Sequence, residues 1–274
     1  MKLAFIGGGN MATALISGLR TQRKSSQQFN TADITVIELD ADKRQDLTQQ
    51  FGVNTTDDIA CAANNDAIVL AIKPQQLPTL AKTLAPMLKN QLIISIAAGI
   101  RAADLSRWLG DYRTIVRCMP NTPAQIQQGV TGLYAMPSVS KAQIAVADQI
   151  LSAAGSTLWL DSEEKLDAIT AISGSGPAYV FYLIEALHEA ALTLGLSEEE
   201  AKQLSIATFK GTSLLADSST ATVATLRQQV TSKGGTTEQG LLSLENSKVK
   251  QAMVLAAQKA CERAKTLGDE LGKD

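Results

Sequence analysis

The run Phe5-Ile6-Gly7-Gly8-Gly9-Asn10-Met11-Ala12 restricts this chain more than any other segment. A short apolar stretch, Lys2 to Ile6, leads into it, and a helical pattern from Met11 to Leu19 leaves it. Read as G-x-G-x-x-A, it is a strand, a tight turn and a helix of the kind that binds dinucleotides. Gly7 permits the turn, Gly9 lets the backbone approach a pyrophosphate, and Ala12 lets the helix pack close to the strand. The phosphates would sit over the helix N-terminus, at Asn10 and Met11, where free N–H groups point outward.

The front half repeats this alternation. Strand-like runs at Ile34 to Leu39, Ala67 to Ile72, Leu92 to Ile96 and Thr114 to Cys118 are separated by helical segments near Ala41 to Gln50, Gln75 to Leu88 and Arg101 to Trp108. Such spacing predicts a parallel sheet with helical crossovers. Gly132 to Met136 and Thr157 to Leu160 can extend it. After Leu160 no convincing strand follows, and helical runs continue to Leu267, ahead of a polar tail from Gly268 expected to fray. The predicted class is therefore α/β: an N-terminal Rossmann-like parallel-sheet domain over residues 1–160, then an all-helical C-terminal domain over 161–274. The 274 residues and 45% apolar content suit two domains with sizeable cores. Pro177 to Leu194 is apolar on nearly every face, which predicts burial against a second subunit.

Several functions are disfavoured. Lys plus Arg number 25 against 27 Asp plus Glu, so no basic surplus is available for nucleic acid. Cys61, Cys118 and Cys261 are widely spaced, and His188 is the only histidine, so neither a zinc site nor a disulfide framework is expected. A reducing, cytoplasmic compartment fits. The N-terminus breaks at glycines too early for a signal peptide, and no apolar stretch is long enough to span a membrane. His188 lies mid-helix among apolar residues, and Cys118 has no histidine partner in sequence, so both are read as packing residues.

The end of the second strand tests which dinucleotide is bound. Glu38 or Asp40 can accept hydrogen bonds from the adenine ribose, which favours NAD, yet Lys43 and Arg44 follow and can attract a 2′-phosphate. An insertion over Arg23 to Ala32 blurs the usual spacing. Lys73 and Pro74 follow the third strand of the alternation, Ala97 and Gly99 the fourth, and Asn121 lies in the stiff Pro120-to-Pro123 loop after the fifth. All sit where strand ends line a ligand crevice. The helical half carries two loops of glycine and hydroxyl residues. Ser173-Gly174-Ser175-Gly176-Pro177 precedes a helix, with Ser175 or Gly176 as its cap. Thr231 to Glu238, with Ser232, Gly235, Thr236 and Thr237, precedes another, with Thr236 able to cap it. Each offers N–H groups and a helix dipole to a small anion.

Hydride transfer asks little acid–base chemistry of the protein, because the cofactor holds the reactive group. Hydroxy-acid dehydrogenases of this two-domain type, which the chain resembles, use a lysine and, one turn later, an asparagine on the first long helix after the sheet; between Lys165 and Lys202 there is neither, so that comparison disfavours alcohol oxidation and suits an imine acceptor. The blocks FIGGGNMA (5–12), VLAIKPQ (69–75), RCMPNTP (117–123), ISGSGPAY (172–179) and VTSKGGTTEQG (230–240) are similar to those of the pyrroline-5-carboxylate reductase family, in order along essentially the whole chain. The resemblance implies reduction of 1-pyrroline-5-carboxylate to L-proline with NADPH or NADH, commonly NADPH. It implies a helical half that interlocks with a dimer mate, dimers assembling into decamers, and a substrate held over the nicotinamide near the dimer interface. Carried onto this chain, Gly235 and Thr236 would offer backbone N–H groups to the substrate carboxylate, Ser232 would assist, and Thr237 would place its hydroxyl at the ring nitrogen as the catalytic residue. Two features depart from the pattern. Lys233 stands where the family usually has proline, and Glu38 with Asp40 stands where many relatives have hydroxyl or basic groups. Another imine or keto-acid reductase, or a non-catalytic dinucleotide binder, is the alternative on the same scaffold.

Overall fold

The computed structural model describes residues 1–21 and 30–273, so residues 23–29 of the expected insertion lie outside it. The chain runs β1 (Leu3–Ile6), α1 (Asn10–Thr21), β2 (Ile34–Ile37), α2 (Ala41–Phe51), β3 (Asn54–Thr56), β4 (Ala67–Leu70), α3 (Leu77–Leu84), β5 (Leu92–Ser95), α4 (Ala102–Trp108) and β6 (Ile115–Met119). It continues through β7 (Gly129–Ala135), α5 (Lys141–Ser152) and β8 (Gly155–Trp159). The helices α6 (Lys165–Ile169), α7 (Gly176–Thr193), α8 (Glu198–Ser218), α9 (Val223–Gln229), α10 (Thr236–Asn246) and α11 (Val249–Leu271) follow.

One sheet holds every described strand, in the order β3-β2-β1-β4-β5-β6-β7-β8. Pairing is parallel from β3 through β6. The chain then reverses, β7 runs antiparallel to β6, and β8 returns parallel to β7. β1, β4 and β5 are buried at every residue, because helices cover both faces. Side-chain alternation splits the core in two. Leu3 and Phe5 pack with Leu15 and Ile16 of α1 and Ile150 of α5. Ala4 and Ile6 face the other way, onto Leu77 and Leu84 of α3 and Leu105 and Trp108 of α4.

The chain divides into two compact units: residues 1–175 with 260–274, and residues 176–259. The first keeps α6 and the end of α11 together with the sheet. Within the second, α7 and α8 form an antiparallel pair, closed where Glu198 Oε1 meets His188 Nε2 at 3.1 Å. Ser197 starts α8 with a capping box completed by Glu200.

Two expectations need correction. The Ser173-to-Pro177 segment is not a loop. α6 passes into a π-helical turn over Thr170–Gly174 and directly into α7, and Ser175 has helical φ and ψ. Ser175 and Gly176 are therefore not caps for a fresh helix start; the Ser175 N–H already donates to Thr170 O at 2.8 Å. Nor does the tail fray at Gly268. α11 continues through Leu271, and Arg101 and Arg107 reach its end through Asp269 at 2.6 Å and the Gly272 carbonyl at 2.7 Å. Among the described residues, no helix is long and apolar enough to cross a membrane.

Candidate functional site

In the first unit, the glycine run sits at the carboxyl end of β1. Gly7 is buried with φ +100°, and a Cβ there would stand 2.5 Å from the Ala71 carbonyl oxygen. Glycine alone takes that backbone without strain. Gly9 differs: a Cβ there would meet nothing within 4 Å, and both Gly9 and Asn10 are exposed. The first helical bond of α1 is Thr13 N–H to Gly9 O, 2.9 Å. The N–H groups of Asn10, Met11 and Ala12 precede it and have no acceptor within the helix. Ala12 is fully buried beneath them. An open glycine beside outward N–H groups fits a pyrophosphate.

Gly8, which the fingerprint leaves unspecified, has its own partner. Its N–H donates to Glu38 Oε2 at 2.9 Å, while Glu38 Oε1 accepts the Asp40 N–H at 3.1 Å. A Cβ on Gly8 would stand 2.7 Å from Leu47 Cδ1 and 3.3 Å from Glu38 Oε2. The middle glycine therefore lets the carboxylate lie across the turn. Asp40 does not face that way: it caps α2, accepting from the N–H groups of Asp42 and Lys43 at 3.0 and 3.3 Å. Arg44 is also committed. Its Nη1 donates to the carbonyls of Glu38 and Leu39 at 2.7 and 2.9 Å, and its Nη2 lies 3.4 Å from Asp57.

The other strand-end residues fall into two groups. Lys73 is exposed, and Pro74 opens the short 3-10 turn behind it. Ala97, Gly99 and Asn121 are held by the scaffold. Ala97 is buried; Gly99 has φ +76°, and a Cβ there would stand 3.0 Å from Leu267 of α11, so its smallness serves helix packing. Asn121 is buried, and its Oδ1 accepts the Val130 N–H at 2.9 Å, pinning the reversal between β6 and β7. Cys118 is a packing residue: burial pushes its thiol far above the usual range despite the neighbouring Arg117 charge, and its Sγ lies 3.3 Å from Ser95 O.

Glu163 has a structural role that its place in the sequence, next to Glu164 just ahead of a helical run, does not announce. Glu163 Oε1 accepts from Arg117 Nη1 at 2.8 Å and from the Ala102 N–H at 2.7 Å. The signal was there: Arg117 interrupts an otherwise apolar strand, and a buried arginine requires an acceptor. Desolvation raises the nearby Asp167 carboxyl above its ordinary range, against the pull of Arg117, Arg101 and Lys265. An acid with a raised folded pKa contributes stability that is fully present below its unfolded pKa and lost as pH rises through the folded one. Asp167→Asn is thus expected to raise the thermal midpoint near pH 7 and to lose that advantage below about pH 3.9, the ordinary aspartate value. Thermal scans at the two pH values check it.

In the second unit, Thr231 to Gly235 turn into α10. Gly234 has φ +73°, and its N–H donates to Glu238 Oε2 at 2.7 Å. Gly235 is the N-cap, so the expected capping by Thr236 is not what is found; Thr236 is the first helical residue. The Gly235 N–H is not free either, because it closes the turn onto Ser232 O at 3.0 Å. The first helical bond is Gln239 N–H to Gly235 O at 3.3 Å, which leaves the N–H groups of Thr236 and Thr237 without a helical acceptor. Ser232, Lys233, Thr236 and Thr237 are all exposed.

A family model described as pyrroline-5-carboxylate reductase dimerisation matches residues 163–267, and one described as NADP oxidoreductase, coenzyme F420-dependent, matches residues 2–99. A pyrroline-5-carboxylate reductase of Pseudomonas aeruginosa is 46% identical over 97% of this chain and 98% of its own length. The structure of a pyrroline-5-carboxylate reductase from Coxiella burnetii superposes with a TM-score of 0.91 at 40% identity, covering 97% of this chain and 98% of that one. The Plasmodium falciparum pyrroline carboxylate reductase, solved with NADP bound, gives 0.86 at 30% identity, covering 98% of each. Identity at this level along the whole length fixes more than a shared scaffold, and the chain belongs to the pyrroline-5-carboxylate reductase family.

Proposed function

We propose that this protein is an NAD(P)H-dependent reductase of 1-pyrroline-5-carboxylate, forming L-proline in the last step of proline biosynthesis. The observation that carries the reading is full-length identity of 46% to a reductase of that name. A bound reduced nicotinamide supplies the hydride that goes to the C=N carbon, and one proton balances the new amine. The chain's own residues bind and orient. The Gly7-to-Ala12 turn takes the pyrophosphate on its outward N–H groups, with Lys73 and Pro74 at the neighbouring strand end. The Thr236 and Thr237 N–H groups, backed by the α10 dipole, take the substrate carboxylate. Ser232 assists, and Ser175, which follows the π-helical turn, is proposed as a further substrate contact. Gly235 acts by shape: a Cβ there would collide with Ser232 Oγ. Thr237 Oγ1 meets the ring nitrogen, fixing which face of the iminium is presented and holding its proton. Lys233, exposed in the same loop, adds positive field for the carboxylate.

The functional domains are assigned as residues 1–160 for the cofactor and 161–274 for substrate and dimerisation. α7 leaves Phe181 65% and Tyr182 70% exposed, an apolar surface that a dimer mate would cover. Dimers assembling into decamers, as in the family, complete the assembly. The three cysteines are free, in keeping with a cytoplasmic location.

Thr237→Ala tests the site. Its kcat/KM with pyrroline-5-carboxylate should fall by about a hundredfold, the usual yield of one positioned proton donor. Its dissociation constant for the nicotinamide cofactor should be unchanged. Spectrophotometric assay with cofactor titration measures both, and unaltered substrate kinetics would remove Thr237 from the mechanism.

A further inference from the structure

We infer that Glu38 makes this enzyme select the dinucleotide whose adenine ribose carries a free 2′-hydroxyl, so that NADH binds in preference to NADPH. The inference rests on the glycine turn being the dinucleotide site. It is carried by the arrangement around the end of β2, where three separate facts point the same way.

The carboxylate is held in place from both sides. Gly8 N–H binds one oxygen at 2.9 Å and Asp40 N–H binds the other at 3.1 Å. Each carboxylate oxygen accepts more than one hydrogen bond, so acceptor capacity remains on both. A ribose diol supplies hydroxyl donors for that capacity. A 2′-phosphate supplies none when ionised and brings like charge instead.

The nearer of the two cations that could offset that charge is already committed. Arg44 spends its guanidinium on two carbonyls of the β2 end and on Asp57, and its side chain is only 21% exposed. Lys43 points outward beside Asp40, at 4.0 Å. Asp40 in turn has its Oδ1 bound to the first turn of α2, which holds it over that helix rather than over the glycine turn. Glu38 is thus the acid at this strand end that faces the glycine turn. The choice of glycine at position 8 belongs to the same device, since a side chain there would press on Glu38 Oε2.

Calorimetric titration of the full-length protein with NADH, NADPH, ADP-ribose and 2′-phospho-ADP-ribose tests the proposal without any substrate. The parent chain should bind each unphosphorylated ligand about tenfold or more tightly than its phosphorylated partner, about the least that one unscreened like charge at contact range provides. Glu38→Gln should bring the two affinities to within about threefold of each other, the charge having been removed. Asp40→Asn should keep the parent ratio. Equal or tighter binding of the 2′-phosphorylated ligands by the parent overturns the proposal, and so does a Glu38→Gln protein with the parent ratio. If Glu38→Gln does not fold, the parent comparison decides alone. Failure here leaves the reductase reading standing, because proline formation with NADPH would still support it; failure to bind any of the four ligands would remove both.

Discussion

Gly7→Ala should all but abolish dinucleotide binding and lower the stability of the sheet unit by about 2–6 kcal/mol, the sum of a strained backbone and a local overpacking. The new Cβ would stand 2.5 Å from the Ala71 carbonyl oxygen and 2.9 Å from Ile72 Cγ2, with φ at +100°. Neither neighbour can retreat easily. The Ala71 N–H is tied to Ile6 O at 2.8 Å, and the Gly7 N–H itself to Ile37 O at 2.8 Å. The turn must therefore shift as a body, and the α1 N-terminus shifts with it. Gly9→Ala provides the contrast. Its Cβ enters open space, so stability should stay within about 0.5 kcal/mol, as for an ordinary surface change. Affinity should still fall, because the proposed path of the pyrophosphate runs through that space. Both tryptophans, Trp108 and Trp159, lie in the first unit, so urea unfolding followed by their fluorescence reports that unit. A Gly7→Ala protein that binds NADH with the parent affinity would show that the turn is not the dinucleotide site.

That pair of glycines also shows what a sequence can and cannot disclose. Gly7 and Gly9 are legible because a fixed spacing after an apolar strand has a single backbone reason for each. Strands such as β4 and β5 are legible because burial on both faces leaves them continuously apolar. The antiparallel β7 was seen as a strand, but its direction was not. Direction depends on the short turn pinned by Asn121, a tertiary hydrogen bond with no local signature. The π-helical turn before α7 was misread as a loop because glycine, serine and proline usually break helices. Here they fall where the helix widens and continues. At the candidate site, residue types were legible and their partners were not. Glu38 and Asp40 look equivalent in the sequence, and only the fold shows that one faces the glycine turn while the other caps a helix. The resemblance implies Gly235 as a donor to substrate, but its N–H is used inside the turn, and the proposed donors are therefore Thr236 and Thr237.

Glu163→Ala should cost about 3–5 kcal/mol, the loss seen when one member of a buried ion pair is removed. Arg117 is 6% exposed as a residue and sits on β6, with its Nη1 on Glu163 Oε1 at 2.8 Å. The same oxygen accepts the Ala102 N–H at 2.7 Å, and α4 has no side-chain cap of its own. Truncation thus strands a guanidinium in the interior and exposes an orphan helix donor in one step. The cost should come mainly from the stranded charge rather than from the value of the pair, and this has a measurable consequence. Adding Arg117→Met to Glu163→Ala should recover stability, because a flexible apolar side chain has no charge to desolvate. Glu163→Gln should fall between, keeping an acceptor for both donors while losing the charge. Urea unfolding of the parent, Glu163→Ala, Arg117→Met and the double variant, with Glu163→Gln beside them, read from the two tryptophans, closes the cycle. A double variant less stable than Glu163→Ala alone would mean that Arg117 finds another acceptor when Glu163 is gone. Asp167, whose carboxyl already feels the Arg117 charge, is the residue placed to be that acceptor.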